Sequence, residues 1–301
     1  GLMACARAAP GDVQTWALAG VHKSLEANAN KVSKGVRLEG RSGQIPGQIN
    51  KHKELASKRA AKTICETGFN AGHSAASWLR YSHPTSQYFG FDAGRTFCPS
   101  AGAHGPGCHR YPEANAKFLT TLIHGGVHRV KVTFGDSSKT VPVFATKEKG
   151  TGFKCELVHV DGGHFGDVPR SDLWGFFRVS NRDTLLIMDD LDCTASWCKT
   201  PNAVWAKAQA EGWVKQDGCQ HYAINPGGKK GKFPRGFCWG RYVYDGQYAE
   251  HEVGGAISSV SNGGGDGDVG DGGGSEGGDD NASDGGGEEF AAEAAAAAEE
   301  A

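Results

Sequence analysis

Five short apolar runs in this chain each stop on an acidic side chain: "ICE" at Glu66, "QYFGFD" at Asp92, "VHRVKVTFGD" at Asp136, "FKCELVHVD" at Asp161, and "DTLLIMDD" at Asp189 and Asp190. Runs of this length read as strands. Between and after them lie segments with helical spacing, "EANAKFLTTLIHGG", "FGDVPRSDLWGFFRVS" and "PNAVWAKAQAEG". Gly125–Gly126 stops the first, Pro169 delays the start of the second, and Pro201 stands at the front of the third. Strands alternating with helices at this pitch imply a doubly wound, mostly parallel α/β sheet covered on both faces. "QHYAIN" and "FCWGRYVY" have only the loop "PGGKKGKFPRG" between them, so they are expected to form an antiparallel hairpin at one edge of a seven-stranded sheet.

The carboxyl ends of parallel strands line one rim, and ligands bind in the crevice there. Any one of these acids has a plain explanation: Asp92 starts a turn, Asp136 caps a helix, Asp190 is solvated surface. Gathered on one rim, like charges cost stability unless cations or hydrogen-bond donors compensate, so the set together points to a site. The first of these strand ends carries the most information. "ICETGFNAGHSAASWL" reads as a strand, a tight turn from Gly68 to Gly72 and a helix begun by small residues. Glycines let the backbone approach a ligand closely, and the amino end of a helix offers unpaired N–H groups. A dinucleotide loop would read Gly-x-Gly-x-x-Gly; this one reads Glu-x-Gly-x-x-x-Gly.

Composition divides the chain. Residues 253–301 hold twelve of the 34 acids and no Lys or Arg, in a Gly-, Asp- and Ala-rich low-complexity run that reads as a disordered tail. The 32 basic residues then face 22 acids, so the body carries a formal charge of +10 hidden by the near-neutral total. That charge is compatible with anionic substrates, with nucleic acid, or with the tail folding back. Residues 1–62 read as a helical and loop cap segment: "VQTWALAGVHKSLEA" has helical spacing, "EGRSGQIPGQIN" reads as a loop, and "KHKELASKRAAK" as a basic helix. No apolar run approaches the roughly 20 residues needed to cross a bilayer. The chain begins "GLMACARAAP" without an initiating Met, which leaves an upstream targeting signal open.

Of the nine cysteines, Cys65 and Cys155 fall in predicted strands and read as inert core thiols. Cys98 with Cys108, and Cys193 with Cys198, are close enough to be bridged in an oxidising compartment. A zinc site from Cys193, Cys198, Cys219 and Cys238 is a weaker alternative without Cys-x-x-Cys spacing.

From Thr63 to Tyr244 the pattern resembles the class I S-adenosylmethionine-dependent methyltransferases, whose fold is Rossmann-like. "ETGFNAGHS" resembles the family's first motif, which implies that Glu66, Gly68, Asn70 and Gly72 surround the methionine end of the cofactor. "FGFD" resembles the second, with Asp92 on the ribose hydroxyls, and "FGDS" the third, with Asp136 and Ser137 beside the adenine. "VHVDGGH" followed by "LLIMDD" is similar to the small-molecule O-methyltransferase branch that binds a divalent metal. The resemblance implies Asp161 at the cofactor and, with Asp189 and Asp190, as ligands of Mg²⁺ or Mn²⁺, and His164 as the base three residues after the first ligand. Catechol-type enzymes carry Asp-Asn where this chain has Asp-Asp; some sugar-hydroxyl methyltransferases use paired Asp.

The expected chemistry is in-line methyl transfer from the sulfonium to a hydroxyl of a small sugar or phenolic acceptor. A divalent ion lowers the pKa of that hydroxyl and an imidazole, ordinarily titrating near about 6.5, takes the proton. Two other classes compete. A nucleic-acid-directed methyltransferase would use the basic body and Lys-rich loop, but no basic patch interleaved with aromatics accompanies them. A non-catalytic methyltransferase-like module would bind the cofactor weakly or not at all. His73 reads as facing either the cofactor or solvent, with solvent favoured, and Trp197, just past the Asp pair, as the tryptophan nearest a substrate.

Overall fold

A computed structural model describes residues 17–33, 38, 45–94, 111–123, 125–193, 195–222 and 235–244. The acidic tail, the Cys98–Cys108 loop and most of the Lys-rich hairpin loop lie outside the described residues.

The chain order is α1 (Leu18–Val32), α2 (Pro46–Arg59), β1 (Thr63–Thr67), α3 (His73–Tyr81), β2 (Gln87–Asp92), α4 (Tyr111–Leu122), α5 (Gly126–Arg129), β3 (Val130–Phe134), α6 (Ser137–Glu148), β4 (Leu157–Val160), α7 (Val168–Phe177), β5 (Leu185–Met188), α8 (Lys199–Ala210), β6 (Val214–Tyr222) and β7 (Arg235–Tyr242). A single turn of 3-10 helix, Ser196–Cys198, precedes α8. The seven strands form one sheet in the order β3-β2-β1-β4-β5-β7-β6. β1 to β5 pair in parallel, whereas β7 runs antiparallel to both β5 and β6. The order reverses beside β1, so the carboxyl ends of β1 and β4 flank the switch point where ligands of such sheets bind.

The period-two alternation of the strands divides the core into two layers. Ile64, Leu157 and Ile187 pack with Leu25 of α1, Leu55 of α2, Trp78 and Leu79 of α3 and Leu119 of α4. Their neighbours Cys65, Val158 and Leu186 face the other way, onto Val141 of α6, Leu173 and Phe176 of α7 and Trp205 of α8. The residues expected to form an N-terminal cap thus cover one face of the sheet through α1 and α2. Among the described residues, no helix is long and apolar enough to cross a membrane.

Several expectations need correction. "EGRSGQIPGQIN" is not a loop throughout, because α2 starts at Pro46, where a proline's missing N–H costs nothing. "SSKTVPVFATKE" forms α6, which the sequence pattern does not announce because Pro142 interrupts it. The Ser138 carbonyl that Pro142 cannot satisfy lies 3.3 Å from the Ser171 hydroxyl of α7, which donates to it. The hairpin strand β6 reaches back to Val214, past "QHYAIN", with a register shift between Gln216 and Gly218. Cys65 and Cys155 are not free thiols: they form a disulfide that ties β1 to the chain entering β4. Cys193–Cys198 is bridged as the spacing allows. Cys219 and Cys238, opposite each other in the β6–β7 register with Cα atoms 4.0 Å apart, form a third disulfide. The four cysteines of the zinc alternative are therefore consumed in two bridges, which leaves no thiolate to hold zinc.

Candidate active site

The first turn is built on backbone geometry that only certain residues tolerate. Gly68 has φ +86°, and a Cβ there would lie 1.8 Å from the Asp161 carbonyl oxygen. Glycine is thus what lets the end of β1 touch the end of β4. Asn70 stands at φ 49° and Gly72 at φ 85°, both left-handed, before α3 begins at His73. Asp92, at the end of β2, holds this turn from the side: its Oδ2 accepts the Asn70 N–H at 2.7 Å, and its Oδ1 accepts the Gly94 N–H at 2.7 Å. The Tyr111 hydroxyl donates to Asn70 Oδ1 at 2.6 Å. His73 does not face solvent. It is buried, with Nε2 3.4 Å from Glu26 Oε1 of α1.

Across the face covered by α2 and α3 runs a buried polar seam. The Tyr88 hydroxyl of β2 donates to Glu66 Oε2 in β1. Glu66 Oε1 lies 2.5 Å from His159 Nδ1 in β4. His159 Nε2 lies 3.7 Å from Asp189 Oδ2, just past β5, and the Gln48 amide of α2 donates to that same oxygen at 2.7 Å. Burial alone would lower the His159 pKa, but the carboxylates of Asp189, Glu66 and Asp161 raise it to about 10. His159 is thus an imidazolium clamped between acids from three strands. The sequence reading did not single it out, because a lone histidine inside a strand looks like core. The available signal was period two: counting back from Asp161 puts His159 on the same face.

At the rim Asp161 belongs to two overlapping groups. Its carboxylate and one ligand atom each from His159 and Asp189 lie within 4.8 Å of one another; so do its carboxylate and atoms of His164 and Asp190. His164 Nε2 is 3.1 Å from Asp190 Oδ2. Asp190 adopts φ 53°, and its N–H binds Asp189 Oδ1 at 2.8 Å, so the adjacent acids point apart. The three carboxylates expected as one ligand set are divided between the two groups. Loss of water around Asp161, followed by the charges of Asp189, Asp190 and Glu66, pushes its carboxyl well above the usual range, with His159 opposing. Crowding of carboxyl groups of this kind is what a bound cation relieves. Asp161 and Asp190 offer two carboxylate oxygens, which suit a divalent ion, with the His164 imidazole beside them; His159, committed to Glu66, is the poorer donor.

Asp136 is turned away from this cluster. Its Oδ1 accepts from the Ser138 N–H at 3.0 Å and the Ser138 hydroxyl at 2.6 Å, which makes it the N-cap of α6 and lowers its pKa. Ser137 beside it is buried and faces Asp172 of α7, a second residue the sequence reading missed. Asp172 is buried with neither carboxylate oxygen in a well-formed hydrogen bond, and a Cβ on Gly162 would meet its Oδ2 at 2.7 Å. Burial raises its pKa to about 7, while the nearby Ser137 and Thr67 hydroxyls hold it down and Asp136 adds to the rise. Asp172 therefore lies beneath the carboxyl ends of β1 and β4, against the start of α6.

Comparison with known proteins agrees with this architecture. Residues 65–191 match the family model described as a methyltransferase domain. No curated protein sequence matches the chain significantly. Among solved structures, the O-methyltransferase TomG from Streptomyces achromogenes in complex with SAM is 17% identical with a TM-score of 0.52, over 77% of this chain and 92% of that one. The O-methyltransferase from Bacillus cereus in complex with SAH is 14% identical with a TM-score of 0.51, over 74% and 90%. Cofactor-bound Rv0187 from MTB is 14% identical with a TM-score of 0.53, over 75% and 91%. At these identities the likeness is one of fold, and it spans nearly the whole of each relative. The motif at Glu66–Gly72 and the strand order agree with these findings: the chain has the Rossmann-like fold of the class I methyltransferases, and its residues 65–191 are similar to a methyltransferase domain.

Proposed function

We propose that the chain is an S-adenosylmethionine-dependent O-methyltransferase acting on a small hydroxylated molecule, with a divalent ion at the rim. The reaction takes a methyl group from the sulfonium to the acceptor oxygen, leaving S-adenosylhomocysteine and one proton. The observation that carries the metal-assisted reading is Asp161, whose carboxylate is shared by two groups of carboxylate and imidazole atoms, each close enough together to hold one ion. The neighbours solved with SAM or SAH bound support the cofactor.

In this reading Gly68, Asn70 and Gly72 bring the backbone up to the methionine end of the cofactor, and Asp92 accepts from the ribose hydroxyls. Glu66 acts through His159, orienting the rim rather than touching the cofactor, since it is wholly buried between Tyr88 and His159, whereas Asp92 stays partly exposed. Ser137 remains in place for the adenine, while Asp136 shapes the loop by capping α6. An ion held by Asp161 and Asp190 would supply Lewis acidity that lowers the acceptor hydroxyl's pKa. His164, donating Nε2–H to Asp190, presents Nδ1 as the site that takes the acceptor's proton. Asp189, turned to Gln48 and His159, fixes the strand end. Holding oxygen, carbon and sulfur in line is a positioning effect that can supply about 7–11 kcal/mol. The three disulfides among the described residues support an oxidising working environment.

The test is release of S-adenosylhomocysteine from S-adenosylmethionine with hydroxylated acceptors, before and after chelation. Activity should fall with a chelator and return with Mg²⁺ or Mn²⁺, and Asp161→Asn should lose it. Full activity in the chelator would remove the ion from the mechanism.

A further inference from the structure

Two buried side chains between α2 and the rim carry polar atoms with no hydrogen-bond partner: Tyr222 Oη and both ring nitrogens of His52. Buried polar groups are nearly always satisfied, because leaving one unpaired forfeits its hydration, so a cluster of them points to a partner that arrives from outside. They are close together. The Phe237 ring has its centroid 5.3 Å from that of His52 and 5.9 Å from that of Tyr222, and His52 lies 5.7 Å from His159.

Tyr222 is the member nearest the chemistry. It ends β6, opposite Arg235 of β7, and the Leu191 N–H binds the carbonyl of Gly236, so the end of the hairpin stands beside the Asp189–Asp190 rim. Tyr222 is 5% exposed. Burial, and then the charge of Asp189, keep its phenol protonated, leaving it a donor with nothing to donate to. The wall opposite is glycine: a Cβ at Gly47 would lie 3.1 Å from the Tyr222 ring. The next residue of α2, Gln48, reaches Asp189 itself.

We propose that Tyr222 is a specificity-determining residue whose hydroxyl donates a hydrogen bond to a second hydroxyl of the acceptor, so that the site selects polyhydroxylated small molecules over those with one hydroxyl. This rests on the O-methyltransferase reading above. The ion-side carboxylates Asp161 and Asp190 receive the hydroxyl that is methylated, and Asp189, next to Asp190 in the chain, is close enough for its charge to act on the Tyr222 phenol. An acceptor with neighbouring hydroxyls spans both points, whereas a mono-alcohol leaves the phenol unpaired. Sites that hydrogen-bond a substrate hydroxyl discriminate strongly against analogues lacking it.

The test compares full-chain wild type with Tyr222→Phe, which keeps the ring packed against Gly47. The probes are methyl glucoside and catechol on one side, cyclohexanol and phenol on the other, with S-adenosylhomocysteine affinity measured by calorimetry. Wild type should methylate at least one polyhydroxylated probe well and the single-hydroxyl probes poorly. Tyr222→Phe should raise KM for the polyhydroxylated probe about tenfold, the loss of one neutral hydrogen bond, with kcat and S-adenosylhomocysteine affinity within about twofold of wild type. Unchanged KM in Tyr222→Phe, equal turnover of single-hydroxyl probes by wild type, or no turnover of any polyhydroxylated probe would each overturn the proposal. If S-adenosylhomocysteine itself does not bind, the methyltransferase reading fails; if it binds and Tyr222→Phe behaves as wild type, only the acceptor site fails.

Discussion

Reducing the three disulfides found among the described residues is expected to bring the folded domain close to its stability limit. The bridges Cys65–Cys155, Cys193–Cys198 and Cys219–Cys238 close segments of 90, 5 and 19 residues in sequence separation, and none encloses another. In the chain-entropy account these loops contribute about 4.6, 2 and 3 kcal/mol, and together about 10 kcal/mol. A domain typically has only about 5–15 kcal/mol in total. The long Cys65–Cys155 loop dominates because it joins two central strands across α3, β2, α4, α5, β3 and α6. The assay is urea unfolding followed by the fluorescence of the buried Trp78, Trp205 and Trp213, with and without a phosphine reductant. With a slope of about 3 kcal/mol per molar urea, the midpoint should fall by about 3 M or the reduced chain should be unfolded at the outset. Alkylation mapped by mass spectrometry must show these six thiols blocked before reduction and free after it. A midpoint that moves by less than about 0.5 M after complete reduction would refute the reasoning.

Asp172 gives a second prediction, in stability against pH. Its folded carboxyl sits at about 7 against an ordinary 3.8, so between those values the folded state holds a proton that the unfolded state has released. Stability should therefore fall as pH rises from about 4 to about 7, by up to about 4 kcal/mol, and level off above. Asp172→Asn should remove that slope and be the more stable form at pH 8; a variant that keeps the wild-type slope in denaturation at several pH values would assign it to another group. His159→Leu should be strongly destabilising, by about 3–5 kcal/mol, because it strips Glu66 and Asp189 of their shared cation. Thermal melting of that variant within about 2 °C of wild type would mean that the seam contributes little.

The sheet was legible because its signal is local and repeated. An apolar run that stops on an acid identifies β1, β2, β4 and β5 at nearly their observed ends, and the missing helix before "FCWGRYVY" identifies the hairpin. α6 was not legible, since Pro142 breaks the expected spacing and the compensation comes from Ser171, 33 residues away. Cys65 and Cys155 each look like core hydrophobes until the β1–β4 pairing brings them together across a sequence separation of 90. The acids at the rim could be read from strand ends alone, but not what each of them does. Asp136 turns back to cap its own helix, Asp189 is drawn aside by Gln48 of α2, and the left-handed backbone at Asp190 sends its side chain toward His164. Those choices depend on helices packed from elsewhere in the chain. His159 was hidden for the same reason: its identity as an imidazolium comes from Glu66 and Asp189, on the neighbouring strands.

The central claim is that the turn from Gly68 to Gly72, braced by Asp92, receives an adenosyl cofactor. Calorimetric titration of the full chain with S-adenosylhomocysteine tests it most directly, with Asp92→Ala alongside. The account predicts saturable binding at a single site per chain, weakened at least tenfold in Asp92→Ala through lost bonds to the ribose and a loosened turn. Absence of binding to wild type, or equal affinity in the variant, would contradict it.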